Sequence, residues 1–378
     1  MLEGMDRAAF DQRILFTGIP RQPQPEFDRL GLPHAFLDLP AQRTRQSEWR
    51  ELKRFLEAQA PCIYIPNYDF HRSCAAATLS PSVRICAVIH SDEICWYDEV
   101  RRLGGSFNAI VAVSAQIANR LRQKFPQLVD RLARIPYGIP LPAPRQKRGS
   151  HGKVLHLAYC NRLAQYQKRV FDLPRIAAEL KRRQVAFHLT VAGDGSDADA
   201  LRGRFRQAGI NGDVTFTGRI PNTAVIGLLK DSDAFLLTSD FEGLPISLLE
   251  AMSTGCVPVV YQIDSGIEEV IQPGLNGFVV PHGNISAFAD VLERMASDRS
   301  IFDRMGTEAT RTVGAKYSIT GMCEAYASLF SRLIQSSSPE IALRRDSRMR
   351  IPRDLTLMHR LLRRLKATGL VHNPPAKV

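Results

Sequence analysis

Between residues 153 and 281 short, nearly unbroken apolar runs alternate with amphipathic stretches. The runs "KVLHLAYCN", "AFHLTVAGDG", "VTFTG", "AFLLTS", "VPVVYQ" and "GFVVP" predict strands. Between them "DLPRIAAELKRR", "DADALRGRFRQAG" and "NTAVIGLLKDS" predict helices, and a short helix is expected around Ile267–Ile271. Continuous apolarity, as opposed to alternation, marks strands covered on both faces, which a parallel sheet between helix layers provides. The same rhythm runs from Pro61 to Pro140, with "CIYIPNY", "RICAVIH" and "AIVAVS" as strands and helical stretches around His71–Leu79 and Ala115–Lys124. The Pro-, Gly- and charge-rich segment Pro136–Lys153 reads as a linker. The chain thus divides into residues 1–142, residues 150–335 and a tail of residues 336–378, with no fixed-period repeat.

Composition narrows the class. At 378 residues and 44% hydrophobic content the chain can bury a large core. No window approaches the roughly 18 apolar residues of a spanning helix, and "MLEGMDRAAFDQR" lacks a basic region followed by an apolar run, so export is not expected. The seven cysteines form no C-x-x-C pair, which argues against a disulfide framework or a zinc knuckle and fits a reducing cytoplasm. The net charge of +12 implies anionic partners. Nine cations between Arg344 and Lys366 face only Asp346 and Asp354. There "LTLMHRLLRRLKATGL" spaces Leu355, Met358, Leu361, Leu362 and Leu365 as a helical stripe with the cations largely off it. Such a basic helix suits the anionic inner face of a membrane or a dock on its own protein. No nucleic-acid motif accompanies the charge.

Several patterns invite assignment to chemistry. In "LTVAGDGSDADAL", Gly193, Gly195 and Ala198 loosely meet a dinucleotide fingerprint, but the next strand ends in Thr217 and Gly218 without the acid that holds a ribose, so hydride transfer is disfavoured. The acidic groups Asp197–Asp199 and Asp231–Asp233 lie at helix ends, where dipole and turn roles suffice. No His/Cys/Asp/Glu cluster has ligand spacing, and no metal or other cofactor is expected.

The segment "SDFEGLPISLLEAMSTGCVPVV" places Glu242 and Glu250 eight positions apart. Pro245 suits the first helical position and Gly255 ends the helix. The helix therefore starts at Glu242, Gly243 and Leu244 with its free amides aimed at that loop, an anion site at which Gly243 lets a ligand approach. An anion flanked by two polyhydroxylated groups fits this layout, as in a nucleotide sugar.

The stretch "FEGLPISLLEAMSTGCVPVV" closely resembles the E-x7-E signature of the family 4 retaining glycosyltransferases. The resemblance extends over roughly Ile63–Leu333. It implies an α/β fold of GT-B architecture, two facing Rossmann-like domains with parallel sheets, here with a reduced N-terminal domain. "YCNRLAQYQKRV" is similar to the family's diphosphate-binding segment, which implies Arg162 and Lys168 as its cations. "VAGDGSD" and "VTFTGRI" resemble the loops near the base, implying Gly193, Gly218, Arg219 and Ile220. By the same correspondence Glu250 binds the ribose and Glu242 meets the transferred sugar, while Gly243, Leu244 and Pro245 form the turn between. "AVIHSDE" resembles the strand end that presents a histidine to the donor sugar, implying His90. "VAVSAQIANRL" is similar to a segment closing that domain, in which Ser114 reads as a helix cap. "YSITGMCEAYASLF" resembles a late helix returning to the first domain. The family's glycine-rich opening loop is missing from "RILFTGIPRQPQPEFDRLG", which implies a truncated or reduced first domain.

These readings imply a cytoplasmic enzyme, touching the inner membrane face through its tail, that moves a sugar from a nucleotide diphosphate to a sugar, lipid-linked or small-molecule acceptor hydroxyl in glycan or glycolipid biosynthesis. A silent nucleotide-sugar-binding scaffold and a sugar-nucleotide epimerase stay open as alternatives.

Overall fold

The computed structural model describes residues 5–6, 9–17, 31, 33–37, 45–67, 72–142 and 154–336. The basic tail helix expected from Arg344 onward lies outside them. Among the described residues, one unit runs to Gly138 and takes in the chain from Ile319 on, and the other is Ile139–Ser318.

In the first unit, β1 (Ile14–Phe16) and β2 (His34–Phe36) form a small parallel pair. Helix α1 (Arg45–Ala58) follows, then β3 (Cys62–Tyr64), β4 (Val83–Ile89), α2 (Ile94–Leu103), β5 (Ala109–Ala112), α3 (Ala115–Lys124) and β6 (Leu132–Arg134). Strands β3 to β6 make a four-stranded parallel sheet in sequential order. All of β5 and all of β4 but Arg84 are buried, as their unbroken apolarity demands. Ser114 caps α3, its Oγ accepting the Ile117 amide at 3.2 Å. The stretch around His71–Leu79 is a 3-10 helix over Arg72–Thr78.

The second unit runs β7 (Leu155–Cys160), α4 (Gln165–Lys168), α5 (Asp172–Arg182), β8 (Phe187–Ala192), α6 (Ala198–Gln207), β9 (Val214–Gly218), α7 (Asn222–Asp231), β10 (Ala234–Leu237), α8 (Ile246–Ser253), β11 (Val257–Tyr261), β12 (Phe278–Val280), α9 (Ile285–Ser297) and α10 (Ser300–Lys316). Its sheet has six parallel strands in the order β12-β11-β10-β7-β8-β9. Helix α5 shows why the layers hold: Leu173, Ile176, Ala177 and Leu180 form its buried stripe, and Pro174 sits in the first turn, where no helical amide bond is lost. Pro258 is tolerated on an inner strand because pairing with β12 begins only at Val259. Gly277 leaves room beside its ring, since a Cβ there would lie 2.7 Å from Pro258 Cγ. Helix α11 (Ile319–Gln335) returns the chain to the first unit.

The short helix expected around Ile267–Ile271 is instead a run of turns. Gly266 N bonds Gly243 O at 2.9 Å and Ser265 Oγ accepts from Ile267 N at 3.2 Å, so the segment is tied down before helical bonds can propagate, and Pro273 stops it beyond.

The strand order positions a site. The chain winds outward from β7 to β9, then crosses to β10 on the other side of β7 and winds outward again. That reversal opens a crevice at the carboxyl ends of β7 and β10, where open α/β sheets take ligands.

Candidate functional site

At the carboxyl ends of β7, β8 and β9 lies a cavity of about 500 Å³, lined by Asn161, Arg162, Gly193, Arg219, Ile220 and Glu250 among others. Arg162, Gly193, Arg219 and Ile220, singled out in the sequence, are thus gathered just past the ends of adjacent strands, and Glu250 joins them from α8. Gly218, which closes β9 at φ +66°, accepts the Gly193 amide at 2.9 Å and joins two of the lining loops.

Gly193 and Gly195 serve the backbone. The loop they form is pressed on the chain after β7: an added Cβ would lie 2.0 Å from Asn161 O at Gly193 and 2.3 Å from Leu163 O at Gly195. Gly193 also adopts φ +137°. The spacing that mimics a dinucleotide fingerprint is here what lets two strand-end loops touch. Gly193→Ala is expected to cost about 2–4 kcal/mol, combining strain and overpacking, read as a lowered urea midpoint; a wild-type midpoint would refute this account. The flanking Asp197 accepts the Gln165 amide at 3.0 Å, and Asp233 accepts that of His156 at 2.8 Å, so both acidic groups hold backbone.

Glu250 sits on α8, its Oε1 accepting from Asn222 Nδ2 at 2.6 Å. Burial raises its carboxyl above the usual glutamate range, partly offset by that bond. Arg162 donates to Gln167 Oε1 at 2.7 Å, and Gln167 Nε2 reaches Phe241 O at 3.3 Å. Those contacts couple the segment after β7 to the loop after β10.

Lys168 and Glu242 form a pair apart from the residues lining the cavity. Lys168 Nζ lies 2.6 Å from Glu242 Oε1, with side chains only 10% and 6% exposed. Ser239 Oγ donates to the same oxygen at 2.6 Å, and Thr238 Oγ1 to Lys168 O at 2.8 Å. Two charges this buried persist only when paired.

Helix α8 begins one residue later than expected. Pro245 is its cap, at φ −72° and ψ 115°, because its carbonyl accepts the first amides, Leu248 N at 3.1 Å and Leu249 N at 3.3 Å. Gly243, Leu244 and Pro245 form the turn between the two glutamates, with Leu244 buried beneath it.

His90 belongs to the first unit, just after β4. Its Nε2 faces Asn67 Oδ1 at 2.5 Å and its Nδ1 faces the Tyr137 hydroxyl, which fixes an Nε2–H tautomer. The Trp96 ring packs edge-on at 5.3 Å. Burial lowers its pKa to about 4, so the ring is neutral at pH 7.

With this geometry in view, residues 142–312 match the family described as glycosyl transferases group 1. The Salmonella typhimurium lipopolysaccharide 1,6-galactosyltransferase is 39% identical over 133 residues, 35% of this chain and 36% of that protein. The putative colanic acid biosynthesis glycosyltransferase WcaL of the same organism is 31% identical over 162 residues, 41% of this chain and 40% of that protein. The matches therefore span about two fifths of these relatives. Among solved structures, Anabaena HepE in complex with UDP and glucose superposes with a TM-score of 0.70 at 14% identity, covering 84% of this chain and 99% of that one. The lipopolysaccharide outer core galactosyltransferase WaaB in its apo form gives 0.63 at 21% identity, covering 85% and 90%. This chain has the GT-B fold. Its first unit is the smaller.

Within this GT-B chain several site residues escaped the sequence reading. Asn222 holds Glu250; Ser247 Oγ donates to Asn161 Oδ1 at 2.9 Å; Gln167 ties the segment after β7 to the loop after β10, and Ser239 holds Glu242 within that loop. Their only sequence signal was polarity at helix starts or strand ends.

Proposed function

We propose that this protein transfers a sugar from a nucleotide diphosphate donor to an acceptor hydroxyl with retained anomeric configuration, in polysaccharide, lipopolysaccharide or glycolipid synthesis. The observation that carries this reading is the convergence of Arg162, Arg219 and Glu250 on one cavity at the strand ends. Relatives named for colanic acid and lipopolysaccharide synthesis support the product class, and the UDP and glucose in the HepE complex support the donor class.

In this reading Glu250 takes the ribose hydroxyls, and Arg162 with Lys168 neutralises the diphosphate as charge develops on the leaving group. Gly193, Gly218, Arg219 and Ile220 border the base, and the α8 start with Gly243, Leu244 and Pro245 faces the phosphates. Glu242 steadies the positive character that grows on the sugar ring, and His90 is assigned to the donor sugar. Retention follows from attack on the face the leaving phosphate vacates, with that phosphate taking the acceptor proton. No metal enters the proposal.

The test is a melting panel with UDP-, GDP- and dTDP-sugars. A true donor at a hundredfold excess over its Kd adds about 2.7 kcal/mol, a rise of a few degrees. NMR of the product's anomeric proton then reads the configuration. No rise with any donor, together with no nucleoside diphosphate release, would remove the proposal; an inverted product would remove the retaining part alone.

A further inference from the structure

The residue after Lys168 sits in a strained backbone. Arg169 closes α4 in the left-handed region, at φ 45° and ψ 43°. There a side chain's Cβ crowds the following carbonyl oxygen, and glycine is the usual occupant of a left-handed helix end. Glycine would relieve the strain, so the backbone does not account for an arginine. The guanidinium does. Its Nε lies 2.9 Å from Asp172 Oδ2 at the start of α5, and a terminal nitrogen lies 3.3 Å from Asp240 Oδ1 in the loop after β10. Both acids are anchored in turn: Tyr261, at the end of β11, donates its hydroxyl to Asp172 Oδ2 at 3.1 Å, and His282, just past β12, places Nε2 2.8 Å from Asp240 Oδ1. One planar fork therefore bridges two elements, which a lysine ammonium does not do.

Two facing segments meet at this bridge. Asp240 N donates to Gln167 O at 2.8 Å, Thr238 Oγ1 donates to Lys168 O at 2.8 Å, and Gln167 Nε2 reaches Phe241 O at 3.3 Å. Along the seam successive cations meet alternate acids: Lys168 pairs with Glu242 at 2.6 Å and Arg169 with Asp240. The seam leads into the cavity, because Gln167 Oε1 accepts from Arg162, which lines it. Resting on the donor reading, which sends Lys168 to the diphosphate, we propose that Arg169 is a positioning residue: its bridge to Asp240 holds the Glu242 loop in register with the segment that carries Arg162 and Lys168. When Lys168 leaves Glu242 for the diphosphate, the second ionic tie across the seam stays made and the two segments do not part. The strained backbone persists because two acids hold its side chain.

Two arms test this. Arg169→Gly removes the bridge and the strain together, so its urea midpoint should exceed that of Arg169→Ala, which loses the bridge and keeps the strain. With the sugar donor that raises the wild-type melting temperature, kcat of Arg169→Gly should fall about tenfold or more while KM stays within about threefold. Asp240→Ala should lower kcat likewise, and the double variant should lose no more than the worse single change. Wild-type kcat in Arg169→Gly, or losses that multiply in the double variant, would overturn the proposal. The second arm is hydrogen exchange of the ligand-free protein. Amides of residues 238–244 should exchange about tenfold faster in Arg169→Gly than in the wild type, with those of β8 unchanged. Unaltered exchange over residues 238–244 would equally overturn it, and Asp240→Ala carries both arms if Arg169→Gly does not fold. This arm needs no donor, so failure of the wild type to bind any nucleotide sugar sinks the donor reading separately from the Arg169–Asp240 bridge.

Discussion

Replacing Lys168 by methionine is expected to lower the unfolding free energy by about 3–5 kcal/mol and to reduce sugar transfer to near background. The ammonium is one of two groups on Glu242 Oε1, and neither member of the pair is appreciably exposed, so water cannot take its place. Truncating one partner leaves a charge without its counterion in a low-dielectric setting, which costs far more than the pair itself contributes. Urea unfolding of wild type and variant measures the difference, and a variant as stable as the wild type would show that the pair is solvated. The double replacement Lys168→Met with Glu242→Leu separates stability from chemistry: removing both charges should recover most of the lost stability and none of the activity. Recovery of activity would take both residues out of the reaction.

The two consequences of Lys168 differ in how visible they are in sequence. A cation after β7 follows from "YCNRLAQYQKRV", but its pairing with a carboxylate 74 positions away is a tertiary fact. No local pattern encodes it. The same holds for Asn222 on Glu250, 28 positions apart, and Ser247 on Asn161, 86 apart. The strands were legible because burial on both faces leaves a mark on every residue: "VTFTG" is β9 from Val214 to Gly218, and "AFLLTS" holds β10. The segment Ile267–Ile271 misled because its apolar spacing is helical while its anchor, the Gly266–Gly243 bond, joins two distant loops. Gly193 and Gly195 stand out in the sequence only as a loose dinucleotide fingerprint; why they must be glycine, backbone pressed on backbone, needed the fold. What sequence could place was the strand ends, and a doubly wound sheet turns those into a site without further instruction.

Glu250→Ala is expected to weaken donor binding by about 2–4 kcal/mol, roughly 30- to 1000-fold in Kd, while leaving the fold intact. In the proposed complex two ribose hydroxyls donate to one carboxylate, and each hydrogen bond to a charged group is worth about 1.5–3 kcal/mol. Titration calorimetry with the nucleoside diphosphate alone isolates this contact from the sugar and from turnover. An unchanged Kd would remove Glu250 from the donor site. A pH dependence follows with a definite sign. Because burial raises the Glu250 carboxyl, lowering the pH should begin to protonate it above the usual glutamate range, and donor affinity should fall there. Glu250→Gln abolishes that limb. Asn222→Ala moves it to higher pH, since the bond from Asn222 is what holds the carboxyl down; an acid limb that stays put without Asn222 would mean that the titrating group is not Glu250.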